Sequence, residues 1–246
     1  MQHRSKKIKK SFFIILVVLI VLSGGSAIYL GNYYHSVDVE KYMNGSWEVS
    51  VEKFDKGWFF DGAGEEKALI FYPGAKVATE AYAPLMYQLA ESGIDCFLVD
   101  MPFHMAFFGM NRAEEIMQEY NYEAWYLGGH SLGGAMAANF AADYVEDHTD
   151  GIRGLLLLAA YPTKDLSTSD MSVVTVYGSE DGVLNMDKIV AGRELTPQDY
   201  KEVCIEGGNH AQFGSYGAQK GDGTAAIPAE EQWARTVEVF VGDESE

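Results

Sequence analysis

The sequence predicts an α/β fold with a mostly parallel central sheet. Two observations carry that prediction. Short apolar runs alternate with helix-like stretches from residue 47 almost to the end, as expected for strands joined by right-handed crossovers. The residue types that carry chemistry fall just after four of those runs: Pro73-Gly74-Ala75-Lys76, Ser131, Asp181 and His210. Open α/β sheets build their sites at the carboxyl ends of strands.

Each element has its own signal. Residues 47–52 alternate apolar and polar, which predicts a half-exposed strand with 58–60 as its hairpin partner. Residues 68–72 form a continuous apolar run, the signature of a strand covered on both faces. Residues 80–92 place Tyr82, Leu85, Met86 and Leu89 at helical spacing. A buried strand at 94–99 and a helix at 113–120 follow. Strand 124–128 leads into a helix of small residues at 132–146. Strands at 155–160 and 173–177, a helix at 186–194, a last strand at 203–205 and a closing helix at 229–241 complete the pattern. The chain has no internal repeat and no low-complexity tract.

Composition bounds the function. A chain of 246 residues that is 48% hydrophobic and 13% aromatic supports one domain with a substantial core. Its net charge is −18, and Arg4, Lys6, Lys7, Lys9 and Lys10 lie in an acid-free segment, 1–11. The remainder is therefore more acidic still and repels phosphate backbones, so no nucleic-acid partner is expected. Cys96 and Cys204 are the only cysteines, each inside a strand-like run. They are expected to act as small buried apolar residues. No Cys-x-x-Cys or His-Glu-x-x-His spacing occurs, so neither a metal nor a cofactor is expected.

Residues 12–30 are uncharged and mostly apolar behind that basic flank. A helix of that length spans about 28 Å, close to the hydrocarbon thickness of a bilayer. The expected organisation is a cytoplasmic basic segment at 1–11, a membrane anchor at 12–30, a linker at 31–46 and the α/β domain at 47–246 outside the cytoplasm. The rival is a cleaved signal peptide with an apolar core at 12–22 and Gly25-Ser26-Ala27 as the cleavage site, which would make the domain secreted.

Within the strand–turn–helix at 124–146 lies Gly129-His130-Ser131-Leu132-Gly133. A Gly-x-Ser-x-Gly pentapeptide is a weak signal by itself; between a strand and a helix it reads as a nucleophile elbow. Asp181 and His210 follow later strands, giving the chain order Ser…Asp…His, which belongs to one triad architecture and not to the others. Rivals remain for the acid: Glu180 adjoins Asp181, and Asp165 also follows a strand. His130 is expected to point away from the nucleophile and to pack.

On these residues the chain resembles the α/β-hydrolase superfamily over residues 45–242. The stretches 71–77 and 207–217 resemble a compact, lidless bacterial subgroup similar in size to dienelactone hydrolases. The chain departs from larger esterases and lipases by having Pro73-Gly74-Ala75 in place of a His-Gly-Gly motif. It also has only a short connection, 161–170, where those enzymes insert a lid. The resemblance implies Ser131 as nucleophile, His210 as base and Asp181 as its orienting acid. The backbone N–H groups of Leu132 and Ala75 are the expected oxyanion donors. His104, Phe103 and Lys76 are candidates to line the substrate pocket. The expected function is a serine hydrolase acting on small acyl esters. An inactive fold tethered as a binding module and an acyltransferase are the rivals.

Overall fold

A computed structural model describes residues 31–148 and 151–243. Within it an eight-stranded sheet runs in the order β1-β2-β4-β3-β5-β6-β7-β8. The strands are β1 Ser50–Phe54, β2 Gly57–Asp61, β3 Lys67–Tyr72, β4 Asp95–Val99, β5 Ala124–His130, β6 Ile152–Leu158, β7 Ser172–Gly178 and β8 Tyr200–Ile205. β2 is antiparallel to both neighbours, and every pair from β4 to β8 is parallel. The helices are α1 Glu40–Met43, α2 Ala83–Glu91, α3 Arg112–Glu119, α4 Leu132–Asp147, α5 Met186–Gly192 and α6 Ala229–Asp243. Apart from the short α1, the pattern agrees with the sequence expectation to within a few residues at each end.

Side chains of the central strands alternate between two cores. Leu69 and Phe71 of β3 face Leu85, Met86 and Leu89 of α2 and Trp233 and Phe240 of α6. Ala68, Ile70 and Tyr72 face Ile116 of α3 and Ala137, Ala138 and Ala141 of α4. Each fully buried large side chain contributes about 1.5–3 kcal/mol of hydrophobic free energy. Alternation explains why β3 reads as an unbroken apolar run: both of its faces are covered.

This topology fixes where a site forms. From β3 the chain moves to β4 on one side and then to β5 on the other. In open α/β sheets such a reversal of strand order marks where ligands bind, at the carboxyl ends of the strands. The connection between β6 and β7, residues 159–171, contains no helix or strand.

Three expectations need revision or fall outside the structure. Residues 31–46 were expected as a linker, yet from Tyr34 onward the chain is packed. Tyr34 bridges Val77, Val39 is buried, and Val37 N–H donates to the Ser215 carbonyl at 2.8 Å. Cys204 is exposed, not buried, because β8 is the edge strand of the sheet. Cys96 is buried, and both thiols are free, with β3, β5, β6 and β7 between their strands. The expected anchor, residues 12–30, lies outside the described residues; among those described, no helix is long and apolar enough to cross a membrane.

Candidate active site

Ser131 occupies the turn between β5 and α4 at φ 54°, ψ −122°. A non-glycine residue there stores about 1–3 kcal/mol of backbone strain, which only a well-determined surrounding can hold. The surrounding is the glycine set. A Cβ on Gly133 would lie 2.1 Å from the Tyr72 carbonyl oxygen, and one on Gly129 would lie 2.6 Å from the Gly133 carbonyl carbon. Glycine therefore lets the turn close against β3, and Ser131 N–H donates to the Leu158 carbonyl at 2.8 Å. The serine side chain does not cap α4.

His210 lies in the loop after β8 and is almost completely buried. Its Nδ1 is 2.8 Å from Asp181 Oδ2. The other carboxylate oxygen of Asp181 accepts from the N–H groups of Val183 and Leu184, both at 2.8 Å. Those two bonds aim Oδ2 at the imidazole. A carboxylate only accepts, so Nδ1 carries the hydrogen and Nε2 of the neutral ring is left as an acceptor. Nε2 is buried and has no hydrogen-bond partner. An orphaned buried acceptor costs free energy and calls for a reason; the ring that carries it packs against His130 of the turn, with ring centroids 4.4 Å apart. Of the rival acids, Glu180 and Asp165 are exposed, and Asp165 accepts from Ser167 N–H instead.

The loop after β3 carries Ala75. Its geometry is set from three sides. Gly74 N–H donates to the Tyr82 hydroxyl at 3.0 Å, Lys76 N–H donates to the His104 carbonyl at 2.7 Å, and the Lys76 carbonyl accepts from Tyr34 N–H at 2.7 Å. Lys76, Phe103 and His104 all have φ between 55° and 59°. Leu132 opens α4, so its N–H has no partner within the helix. Burial lowers the pKa of His104, with the Val77 backbone, Glu80 and Asp100 working against that shift. Phe103 is exposed, in edge-to-face contact with Phe108. The His104 carbonyl is thus bonded to the loop that carries Ala75 and Lys76, and Phe103 is exposed.

Two sets of residues were missed in the sequence. Asp222 accepts backbone N–H bonds from Gly182 beside the acid, from His210 and Ala211, and from Gly223, at 2.8–3.2 Å. Gln232, fully buried on α6, pairs with Asn209 in both directions, accepting from its N–H and donating to its carbonyl. His130 packs as expected, with Nδ1 2.8 Å from the Tyr82 hydroxyl. Burial pushes its pKa well below the usual histidine range; the nearby His210 ring acts in the same direction and the His210 backbone against it. Among the described residues, no cluster of three or more His, Cys, Asp or Glu side chains is placed to hold a metal ion.

No curated protein matches the chain. Solved structures with this architecture include an esterase/lipase from an uncultured bacterium (TM-score 0.59, 11% identity, covering 85% of this chain and 89% of that one). Carboxyl esterase 2 from the mycorrhizal fungus Tuber melanosporum is similar at TM-score 0.58 and 12% identity, over 84% of this chain and 91% of that one. A bacterial heroin esterase is similar at TM-score 0.54 and 13% identity, over 83% and 87%. At such identities the likeness concerns the fold alone. The sequence pattern described as the alpha/beta hydrolase family matches residues 68–234, more than half of the chain and the span that holds Ser131, Asp181 and His210; the chain belongs to the alpha/beta hydrolase family.

Proposed function

We propose that the protein is a serine hydrolase that cleaves small acyl esters through Ser131, His210 and Asp181. One observation carries this reading: the orphaned Nε2 belongs to a buried imidazole that is oriented by a carboxylate at 2.8 Å and packs 4.4 Å from the ring of His130, the residue before a serine held at positive φ on a strand-to-helix turn. A serine hydroxyl is a weak nucleophile until a neighbouring base removes its proton. His210 Nε2 takes that proton as Ser131 Oγ bonds to the acyl carbon. The oxyanion that forms is held by the N–H groups of Leu132 and Ala75. His210 then returns the proton to the departing alcohol oxygen as the ester bond breaks. Water repeats the sequence on the acyl-enzyme and frees the acid. Asp181 keeps the imidazole in the required tautomer and stabilises it while charged.

His104, Lys76 and Phe103 line the mouth in this reading. The helix-free 159–171 connection leaves no lid to close over a long chain, and each methylene left in water forgoes about 0.8 kcal/mol. Acetyl to butyryl esters are therefore the expected substrates. The domain is proposed to lie outside the cytoplasm, tethered or exported through residues 12–30; the intact mass and fractionation of the native protein test this.

The deciding experiment is fluorophosphonate labelling followed by turnover of p-nitrophenyl esters from C2 to C16. Label on Ser131, a maximum at C2–C4 and a roughly 10⁴–10⁶-fold loss in Ser131→Ala are expected. A folded Ser131→Ala protein with near-normal hydrolysis would overturn the reading. A maximum at C10 or longer would overturn the substrate class.

A further inference from the structure

We propose that Tyr82 is a positioning residue for this site, its buried hydroxyl holding the oxyanion loop through Gly74 and ordering His130 against the imidazole of His210. The inference rests on the serine-hydrolase reading above and adds to it a connection between the two halves of the machinery. Tyr82 ends the short 3₁₀ turn Thr79–Tyr82 ahead of α2 and is fully buried. Its hydroxyl meets two groups that the sequence sets 8 and 48 residues away.

Donor counting fixes the arrangement. Gly74 N–H can only donate, so the Tyr82 oxygen accepts from it at 3.0 Å. The hydroxyl has one hydrogen, and the nearest acceptor is His130 Nδ1 at 2.8 Å. Burial raises the Tyr82 phenol far above its ordinary range and lowers His130 well below its own. The phenol therefore keeps its hydrogen and the imidazole stays neutral, with Nδ1 accepting and the hydrogen on Nε2, which is buried without a hydrogen-bond partner. Gly74 bears the mark of this contact: a Cβ there would lie 2.8 Å from both the Tyr82 oxygen and His130 Nδ1. The hydroxyl and the imidazole occupy the space that any other side chain at 74 would need.

The geometry has consequences on both sides. Gly74 immediately precedes Ala75, so the bond from Gly74 N–H sets the peptide that leads into the second oxyanion donor. His130 immediately precedes Ser131, and its ring packs at 4.4 Å and 54° to the His210 ring, with Phe213 at 5.7 Å. His210 is held in plane by Asp181 and flanked by His130. A phenylalanine at 82 would fill the same volume with no polar group to satisfy. A buried hydroxyl is costly unless both of its bonds are made, and here both are made to the site.

The test is Tyr82→Phe, with His130→Asn and His130→Leu as a second pair. Asparagine offers an oxygen near the position of Nδ1; leucine offers none. Four quantities are measured on folded protein: kcat, KM, affinity for an alkyl boronic acid that adds to Ser131 as a tetrahedral anion, and Tm. Tyr82→Phe is expected to lower kcat roughly 10–100-fold, the cost of displacing a donor without deleting it. KM should stay nearly constant and boronate affinity should fall in parallel with kcat. His130→Asn should retain several-fold more activity than His130→Leu. Loss of Tm alone, with kcat and boronate affinity unchanged in Tyr82→Phe, overturns the inference. If Tyr82→Phe does not fold, equal activity in the two His130 variants overturns it. Absence of fluorophosphonate label on wild-type Ser131 would instead sink the hydrolase reading itself.

Discussion

The two halves of the site rim are fixed by different forces. The loops leaving β3 to β6 carry the proposed nucleophile and the proposed oxyanion donors. There Lys76, Phe103, His104, Ser131 and Ala159 all sit at positive φ, and glycines let backbone touch backbone. The loops leaving β7 and β8 carry the proposed acid and base, Asp181 and His210. Among the described residues these contain no non-glycine residue at positive φ. Glycines close backbone on backbone here too, at Gly178, Gly182 and Gly223, but side chains add a second set of restraints: Asp222 on four N–H groups, Asp181 on two, and Gln232 on Asn209. The difference follows from what each half presents. Oxyanion donors are backbone N–H groups, whose position only the main chain can set. An imidazole and a carboxylate are side-chain atoms, and hydrogen bonds suffice to aim them.

If that contrast holds, the first half breaks through its backbone. Gly133→Ala should be the most damaging of the changes that leave the triad itself intact. Its Cβ would meet carbonyl oxygens of Tyr72 and Pro73 at 2.1 and 2.4 Å, neither of which can rotate away. The elbow and the oxyanion loop must separate, and a displacement of about 1 Å costs on the order of 10²-fold in rate. A kcat/KM within threefold of wild type would show that the elbow is not held by close packing.

The second half breaks through a carboxylate. Asp222→Ala removes the acceptor for His210, Ala211, Gly182 and Gly223 together. Hydrogen bonds to a charged group are worth about 1.5–3 kcal/mol each, and water replaces part of that at a half-exposed site. A loss of about 3 kcal/mol in denaturant stability is expected, with a roughly tenfold fall in kcat as the His210 loop drifts. Asp222→Asn keeps one acceptor oxygen and should fall between. Unchanged stability in Asp222→Ala would mean that solvent serves these N–H groups equally well.

The same contrast explains what the sequence revealed. The elbow was legible because its constraint is local: two glycines and a serine within five residues, between a strand and a helix. The succession of strands along the chain followed from apolar runs, but not their order in the sheet, and the order of Ser131, Asp181 and His210 followed from their placement after strands. Asp222 stood in a plain Gly-Asp-Gly turn, and its partners lie up to 40 residues away. Tyr82 read as one apolar position of a helix, because periodicity records that a side chain is buried and not that its hydroxyl is in use. Residues 34–46 looked like a linker because their backbone bonds go to the loops at 76–78 and 215, contacts with no sequence periodicity.

His130 lies on the seam between the halves, facing Tyr82 and His210, and gives the contrast a pH signature. Its pKa in the fold is well below the ordinary 6.5. Above pH 6.5 it is neutral in both the folded and the unfolded chain and does not affect the balance. As pH falls through 6.5 the unfolded chain binds a proton that the fold refuses, so stability declines, by up to about 1.4 kcal/mol per pH unit. His130→Asn removes that group. Urea unfolding between pH 7.5 and 5 should show a shallower slope in the variant than in wild type; identical slopes would mean that His130 does not stay neutral.

The smallest expected effect is also the sharpest test of the comparison, because it asks for opposite signs from one kind of exchange. Phe103 is 58% exposed and sits at φ 56°. For an L residue that conformation costs about 1–2 kcal/mol, against about 0.5–1 kcal/mol of extra backbone entropy lost by glycine on folding. Phe103→Gly should therefore stabilise by about 0.5–1 kcal/mol, reduced by whatever its contact with Phe108 contributes. Gly221, in the second half, has φ 90° and open space where a Cβ would go. Gly221→Ala meets no clash, so its cost is conformational and should be about 1 kcal/mol of destabilisation. In a protein of this size each change should move Tm by about 2–4 °C, upward for Phe103→Gly and downward for Gly221→Ala. A fall in Tm for Phe103→Gly would show that the aromatic contact outweighs the strain, and the first half would then owe less to backbone geometry than its dihedral angles suggest.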